Sequence, residues 1–276
     1  MRFDKPESID KLLKILSTSS EDRLLLAGGS DINVKLHQNR VQPSQIIMIN
    51  HLPELKGIKL ENNRLIIGAV TTIAEISQSS LIKKHCPFLA KALADFASPT
   101  IANFATIAGN IANSSPTADT VPLLLVLNAE LVLRSKTSQR KVAISNFYTG
   151  YKKTVMKSQE LICSIEIPLQ DRTEYITRYI KVGSRTILTI AKLSLALIKD
   201  IGGFRIAAGS LNEYPRRLKN VEMYLNDLTE KYEKEALINA LKKDITPITD
   251  FRSDAEYRLQ VCSNYLISFL ASIDYA

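Results

Sequence analysis

The 276-residue chain contains no tryptophan, three cysteines, three histidines and only ten glycines. Each scarcity excludes something. Cys86, Cys163 and Cys262 are scattered, whereas an iron–sulfur cluster takes four thiolates and a disulfide scaffold takes closely spaced pairs. His37, His51 and His85 fall into no metal-ligand spacing. The chain itself is therefore expected to hold no metal. Long apolar runs are missing too: residues 121–127 form one of the longest, far short of a membrane span. The N-terminal MRFDKPESIDKLLKIL places Asp4, Glu7 and Asp10 where a signal peptide needs an apolar core. These features predict a cytoplasmic protein without a membrane span.

The formal net charge is +8. Its lysines and arginines are dispersed, with neither a basic stripe nor an aromatic stacking motif, so nucleic acid is not the expected partner. A solvated basic surface, or attraction to acidic partners and phosphates, accounts for the charge. Hydrophobic residues make up 45% and charged residues 23%, ordinary values for a globular protein with a real core.

Helix and strand signals alternate through the first part of the chain. Ile9, Leu12, Leu13 and Leu16 have the spacing of an amphipathic helix over residues 8–17. Residues 24–26 and 46–49 read as buried strands, and 31–38 as a short helix capped by Ser30 or Asp31. A strand at 64–69, a helix beginning at 72–77 and a helix at 87–96 follow, the last stopped at Ser98-Pro99. TIANFATIAGNIANSSPTAD reads as loop-rich. Beyond it come a helix at 120–127 with Pro122 in its first turn and strands at 130–134, 141–144 and 161–167. Pro168-Leu169-Gln170-Asp171 is the expected domain boundary. Strands at 175–182, 191–198 and 204–210 then precede helices at 219–228, 230–242 and 253–272. The class is α+β.

With so few glycines, their placement is informative. Gly28-Gly29 lies between a strand and a helix start, where backbone N–H groups can approach an anion and the helix dipole favours negative charge. A plain structural turn explains the pair as well. It matches neither the dinucleotide-fold fingerprint nor the P-loop. The second segment, residues 106–119, combines small side chains with Thr, Asn, Ser and Asp. That composition suits a loop wrapping a phosphate-bearing ligand. It suits equally a surface loop whose Asp119 caps the next helix.

In this order, the two segments resemble the FAD-binding subunit of the molybdenum hydroxylases, the family of xanthine dehydrogenase and the carbon monoxide dehydrogenase medium subunit. LLLAGGSDINVKL is similar to the family's first flavin loop, and ATIAGNIANSSPTADTVPLLLVLNAELVL to its second. FYTGYKKT with ELICSIEIP resembles the end of the flavin domain, while KVGSRTILTIAKLSLAL, AAGSLNEYPRRL and ITPITDFRSDAEYRLQV resemble the C-terminal domain. The resemblance implies a two-subdomain FAD-binding domain of the vanillyl-alcohol-oxidase (PCMH) type over 1–170, divided near residue 54. A C-terminal α+β domain with a small sheet and helices follows over 171–276.

The resemblance also implies noncovalent FAD and its contacts. Leu25, Leu26, Ala27, Gly28, Gly29, Ser30, Asp31 and Ile32 would follow the diphosphate and adenosine, with the N–H groups of Gly28, Gly29 and Ser30 as donors. Thr106, Ile107, Ala108, Gly109 and Asn110 would form the second contact segment. Asp119 would bind a flavin polar group, Phe96 and Ile162 would pack on the cofactor, and Lys181 would contact it. The family usually has two glycines before the asparagine. Here Ala108 takes the first place, which would matter if that backbone had positive φ or touched the cofactor.

The implied role is that of an oxidoreductase subunit in a hetero-oligomer. Electrons would leave a molybdopterin centre on a large subunit, cross 2Fe-2S clusters on a small subunit, reach FAD here and pass to NAD⁺ or another acceptor. No catalytic side chain is expected on this chain. A cofactor-free scaffold subunit of the same fold and a stand-alone flavoprotein reductase remain the alternative readings.

Overall fold

The apolar quartet near the N-terminus forms the first helix as its spacing predicts. The computed structural model describes residues 1–18, 22–169, 175–185, 188–228 and 231–275. The expected boundary at Gln170-Asp171 and the expected helix start at Glu230 lie outside the described residues. The chain divides into two compact units. One comprises residues 1–113, 128–149 and 153–169, the other 114–127, 150–152 and 170–276.

The first unit opens with β1 (Arg2–Asp4), α1 (Ile9–Leu16), β2 (Arg23–Leu26), α2 (Ile32–His37) and β3 (Gln45–Met48). Ser8 caps α1 by accepting from the Lys11 N–H, and Ile9, Leu12, Leu13 and Leu16 are buried. The strands form a parallel sheet in the order β1-β3-β2. Ile46 and Ile47 of the central strand are buried. The expectation that 24–26 is a buried strand needs correcting, because β2 is an edge strand and stays half-buried along its length.

Next come β4 (Ile58–Glu61), β5 (Arg64–Gly68), α3 (Ile73–Gln78), α4 (Ser80–His85), α5 (Pro87–Ala94), α6 (Pro99–Phe104) and α7 (Ile107–Ala112). After α8 (Thr120–Val126), which belongs to the second unit, the chain continues with β6 (Glu130–Arg134) and β7 (Gln139–Ala143). A hairpin pairs β8 (Tyr148–Gly150) with β9 (Lys153–Thr154), and β10 (Leu161–Pro168) follows. The larger sheet is antiparallel, ordered β4-β5-β10-β6-β7. Its central strand β10 sets Ile165 against Ile67 on one side and Leu131 on the other, all fully buried. A bulge interrupts the β10–β6 ladder between Ile162 and Ser164.

The loop-rich reading of residues 100–119 is overturned in its first half, which folds as α6 and α7. Both helices begin on ordinary caps: Ser98 accepts from the Ile101 N–H with Pro99 at the first helical position, and Thr106 accepts from the Gly109 N–H. Each helix is one or two turns long, too short for apolar periodicity to register.

In the second unit β11 (Ile176–Val182), β12 (Leu193–Asp200), β13 (Gly203–Gly209) and β14 (Arg216–Arg217) form an antiparallel sheet in chain order. The helices α9 (Lys219–Asn226), α10 (Lys234–Asp244) and α11 (Ala255–Ala271) complete it. Leu195, Leu197, Phe204 and Ile206 of the sheet share a core with Leu225, Leu241, Leu266 and Phe269 of the helices. Asp244 ties α10 to the start of α9, its carboxylate accepting from the N–H groups of Asn220 at 3.1 Å and Val221 at 2.9 Å. All seven residues of α8 are buried, and the helix packs on β12, β13 and β14. An apolar TVPLLLV leaves no polar face, and such a helix must sit inside.

Candidate functional site

In the first unit the chain leaves β2 through Ala27-Gly28-Gly29-Ser30, every residue of which is half-buried. Gly29 has φ +74°, the left-handed region that favours glycine. Gly28 is required for a different reason. Its Cα approaches the main chain of α6 so closely that a Cβ would stand 1.6 Å from the Phe104 carbonyl oxygen. Among the described residues, none accepts a hydrogen bond from the backbone N–H of Gly28, Gly29 or Ser30. Three available donors on a loop without bulk fit the diphosphate of a dinucleotide.

Asp31 does not cap α2 with its side chain, as the sequence allowed. Its carboxylate instead pairs with Lys35 one turn on and accepts from Asn113 Nδ2 at 3.1 Å, while Lys35 Nζ donates to Asn113 Oδ1 at 3.0 Å. These three side chains fasten α2 to the end of the second small-residue segment. Two predicted loops far apart in sequence are thus neighbours, joined at Gly28–Phe104 and again at Asp31–Asn113.

The second segment is held from behind. The N–H groups of Ile107 and Ala108 donate to Thr71 and Ala69 carbonyls, both at 3.1 Å, and Thr106 bridges Thr72. Thr106 and Ile107 are buried, Ala108 and Asn110 half-buried, and Gly109 exposed. Ala108 lies inside α7 and is absent from the residues of positive φ. The backbone there does not require glycine, and the methyl group introduces no strain.

Asp119 belongs to the second unit, where it precedes α8 with αR backbone angles and no side-chain cap bond. The capping role is therefore not what its carboxylate does. Oδ2 accepts from Lys181 Nζ at 2.6 Å, and both side chains are largely buried. Tyr179 and Lys181 are two apart on β11 and so share a face. The Tyr179 hydroxyl donates to the Asp119 main-chain oxygen at 3.4 Å. Burial pushes the Asp119 carboxyl above its usual range, against the downward pull of the Lys181 ammonium and the Tyr179 hydroxyl. Burial likewise raises Tyr179, which stays protonated and able to donate. The second carboxylate oxygen, Oδ1, is buried with no hydrogen-bond partner. Such an atom costs free energy unless something satisfies it, and a ligand N–H would fit.

Of the other predicted residues, Leu25, Leu26 and Ile32 are half-buried beside the cradle, while Phe96 and Ile162 are buried in the first unit. Burial pushes the Cys163 thiol up to about 11 and the Cys262 thiol up to about 12, so neither is a ready nucleophile. Among the described residues no group of three or more His, Cys, Asp and Glu gathers to hold a metal. The sequence reading missed Lys35, Phe104, Asn113 and Tyr179. For Tyr179 a signal existed, its i, i+2 relation to Lys181. For Asn113, whose partners are remote in sequence, none did.

The family model for the FAD binding domain in molybdopterin dehydrogenase matches residues 1–170, and that for the CO dehydrogenase flavoprotein C-terminal domain matches 180–273. The chain belongs to this family of FAD-binding medium subunits. It is 30% identical over 266 residues to a xanthine dehydrogenase FAD-binding subunit of Escherichia coli O157:H7, covering 94% of this chain and 91% of that one. It is also 30% identical over 265 residues to the glyceraldehyde dehydrogenase medium chain of Sulfolobus acidocaldarius, covering 94% and 93%. Among solved structures, a carbon monoxide dehydrogenase from Hydrogenophaga pseudoflava lacking the Mo-pyranopterin moiety of its cofactor superposes with a TM-score of 0.88. The identity there is 28%, over 96% of this chain and 93% of that one. This FAD-binding subunit is accordingly an oxidoreductase component, with the α+β architecture of a flavin domain followed by a C-terminal domain. No helix among the described residues is long and apolar enough to cross a membrane.

Proposed function

We propose that this subunit binds FAD noncovalently and relays electrons within a larger cytoplasmic molybdenum hydroxylase. In this reading residues 1–170 act as the FAD domain and 171–276 as the C-terminal domain. The observation that carries it is the convergence of the two small-residue segments in the first unit, at Gly28–Phe104 and Asp31–Asn113. Leu25 through Ile32 hold the diphosphate and adenosine, with N–H donors from Gly28, Gly29 and Ser30. Thr106 through Asn110 form the second wall, and Phe96 and Ile162 supply apolar contact. Asp119 with its partner Lys181 serves the polar part of the flavin. When bound, FAD would supply the redox chemistry. The protein's own residues position it, exclude water and set its electrostatic surroundings.

The partners in this reading are a 2Fe-2S subunit and a molybdopterin-binding large subunit, with NAD⁺ or another molecule as the final acceptor. Mild purification of the chain from the cells that make it tests the assignment. Co-purifying chains should carry molybdenum and iron–sulfur clusters, and NADH should bleach the flavin if NAD⁺ is the acceptor. A flavoprotein that purifies alone and turns over without partners would establish the stand-alone reductase. Partner chains around a colourless subunit that takes up no FAD would establish the scaffold.

A further inference from the structure

Main-chain contacts fix the end of α6. Its last carbonyl, at Phe104, lies against the Cα of Gly28. The next residue, Ala105, accepts from the Ile73 N–H at 2.9 Å and donates to the Ile101 carbonyl at 2.7 Å. Phe104 is thus clamped on both sides, yet no residue of α6 is buried, and Phe104 itself is 60% exposed. Among the described residues no other aromatic ring packs on it. A single exposed apolar side chain is ordinary on a protein surface, but the address of this one is not. It stands beside the turn whose three backbone donors, at Gly28, Gly29 and Ser30, have no acceptor among the described residues. All of these groups lie in the first unit.

We propose that Phe104 is a binding residue for the adenosine half of FAD, its ring stacking on the adenine while the N–H groups of Gly28, Gly29 and Ser30 hold the diphosphate. The inference rests on the reading of Leu25 through Ile32 as the diphosphate and adenosine segment, and deepens it by naming the side chain that meets the base. The two parts of the ligand call for different chemistry. A diphosphate needs donors, which the turn presents. A purine needs a flat apolar face, which an aromatic ring supplies at little entropic cost once its backbone is fixed. One ribose separates the diphosphate from the adenine, so a ring next to the turn is within reach of the base. FMN, which lacks the adenosine, gains nothing from this contact, and the ring therefore selects the dinucleotide.

The test titrates FAD into the apo-protein of the full chain, as wild type, F104A, F104L and F104Y, with thermal unfolding of each. F104A should weaken FAD binding about tenfold, a typical loss when a base is deprived of its aromatic partner. It should leave the melting temperature of the apo-protein unchanged, because the ring is exposed. F104Y should keep the wild-type affinity, and F104L should recover only part of it. The chain contains no tryptophan, so F104W carries the sole indole of the protein. ADP, which has the adenine but no flavin, should quench its emission. Unchanged FAD affinity in F104A overturns the proposal, as does a loss matched by a fall in apo-protein stability, the mark of a structural role. An indole left unquenched at ADP concentrations that displace FAD overturns it too, since the adenine then lies elsewhere. A wild type that takes up no FAD brings down the underlying reading as well, so the two failures are distinguishable.

Discussion

The α-carbon of Gly28 rests against the main-chain carbonyl of Phe104, and a Cβ at that position would stand 1.6 Å from the oxygen. No rotamer change relieves such an overlap, because the obstruction is backbone. Gly28→Ala should therefore push α6 away from β2, at a cost of about 1–3 kcal/mol or more, the range for forced overpacking. Chemical denaturation of the apo-protein measures this, and FAD affinity should fall with it. A fully stable Gly28→Ala that binds FAD normally would mean the two segments are not pressed together.

Gly29 is constrained differently. Its φ of +74° is costly for any side chain, about 1–2 kcal/mol, and an added Cβ would meet Asn33 Nδ2 at 2.8 Å. That neighbour is a side-chain tip and can move. Gly29→Ala should accordingly be milder than Gly28→Ala in stability. Gly29→Val, with a branched side chain in the same region, should abolish flavin binding. Retention of full FAD content by folded Gly29→Val would remove this turn from the cofactor site.

Thr106 caps α7 by accepting from the Gly109 N–H at 3.2 Å. Thr106→Ala should cost about 1 kcal/mol of stability, as loss of a capping hydroxyl does. FAD affinity should drop alongside it, while Thr106→Ser retains most of both. Equal behaviour of the two variants would show that the hydroxyl is dispensable.

Several capped helices and the mostly apolar strands were legible in the sequence. Ser8 and the apolar quartet announce α1, Thr72 and Glu75 form the capping box that opens α3, and the runs at β10, β12 and β13 name their own burial. What escaped notice has a common physical cause. Elements such as β1, β4 and β14 are three residues or so of mostly exposed or half-exposed chain, without a pattern to read. The Asp31–Lys35–Asn113 cluster escaped because hydrogen bonds between segments distant in sequence leave no periodicity. Asp119 could be read two ways, and only the position of Lys181 on β11 distinguishes the ion pair from the cap.

Glu160 supplies a pH dependence in the first unit. Hydrogen bonds from Arg140, at 2.7 and 2.9 Å, hold its carboxyl below the ordinary glutamate range. A lowered folded-state pKa means the stabilisation is complete above the unfolded value and is lost as pH falls through the folded one. Glu160→Gln should cost about 1–2 kcal/mol near neutrality, because Arg140 is partly solvated and the pair is weaker than a fully buried one. Melting curves of the two proteins should converge in acid. A difference independent of pH would show that the loss is one of packing and not of charge.

The most direct test of the account is the visible spectrum of the purified full-length chain, taken before and after denaturation in acid or urea followed by filtration. The native protein should show flavin bands, and equimolar FAD should pass into the filtrate, identifiable by its mass. Colour retained by the precipitated chain would contradict noncovalent binding. A colourless protein that also fails to take up added FAD would contradict the account itself.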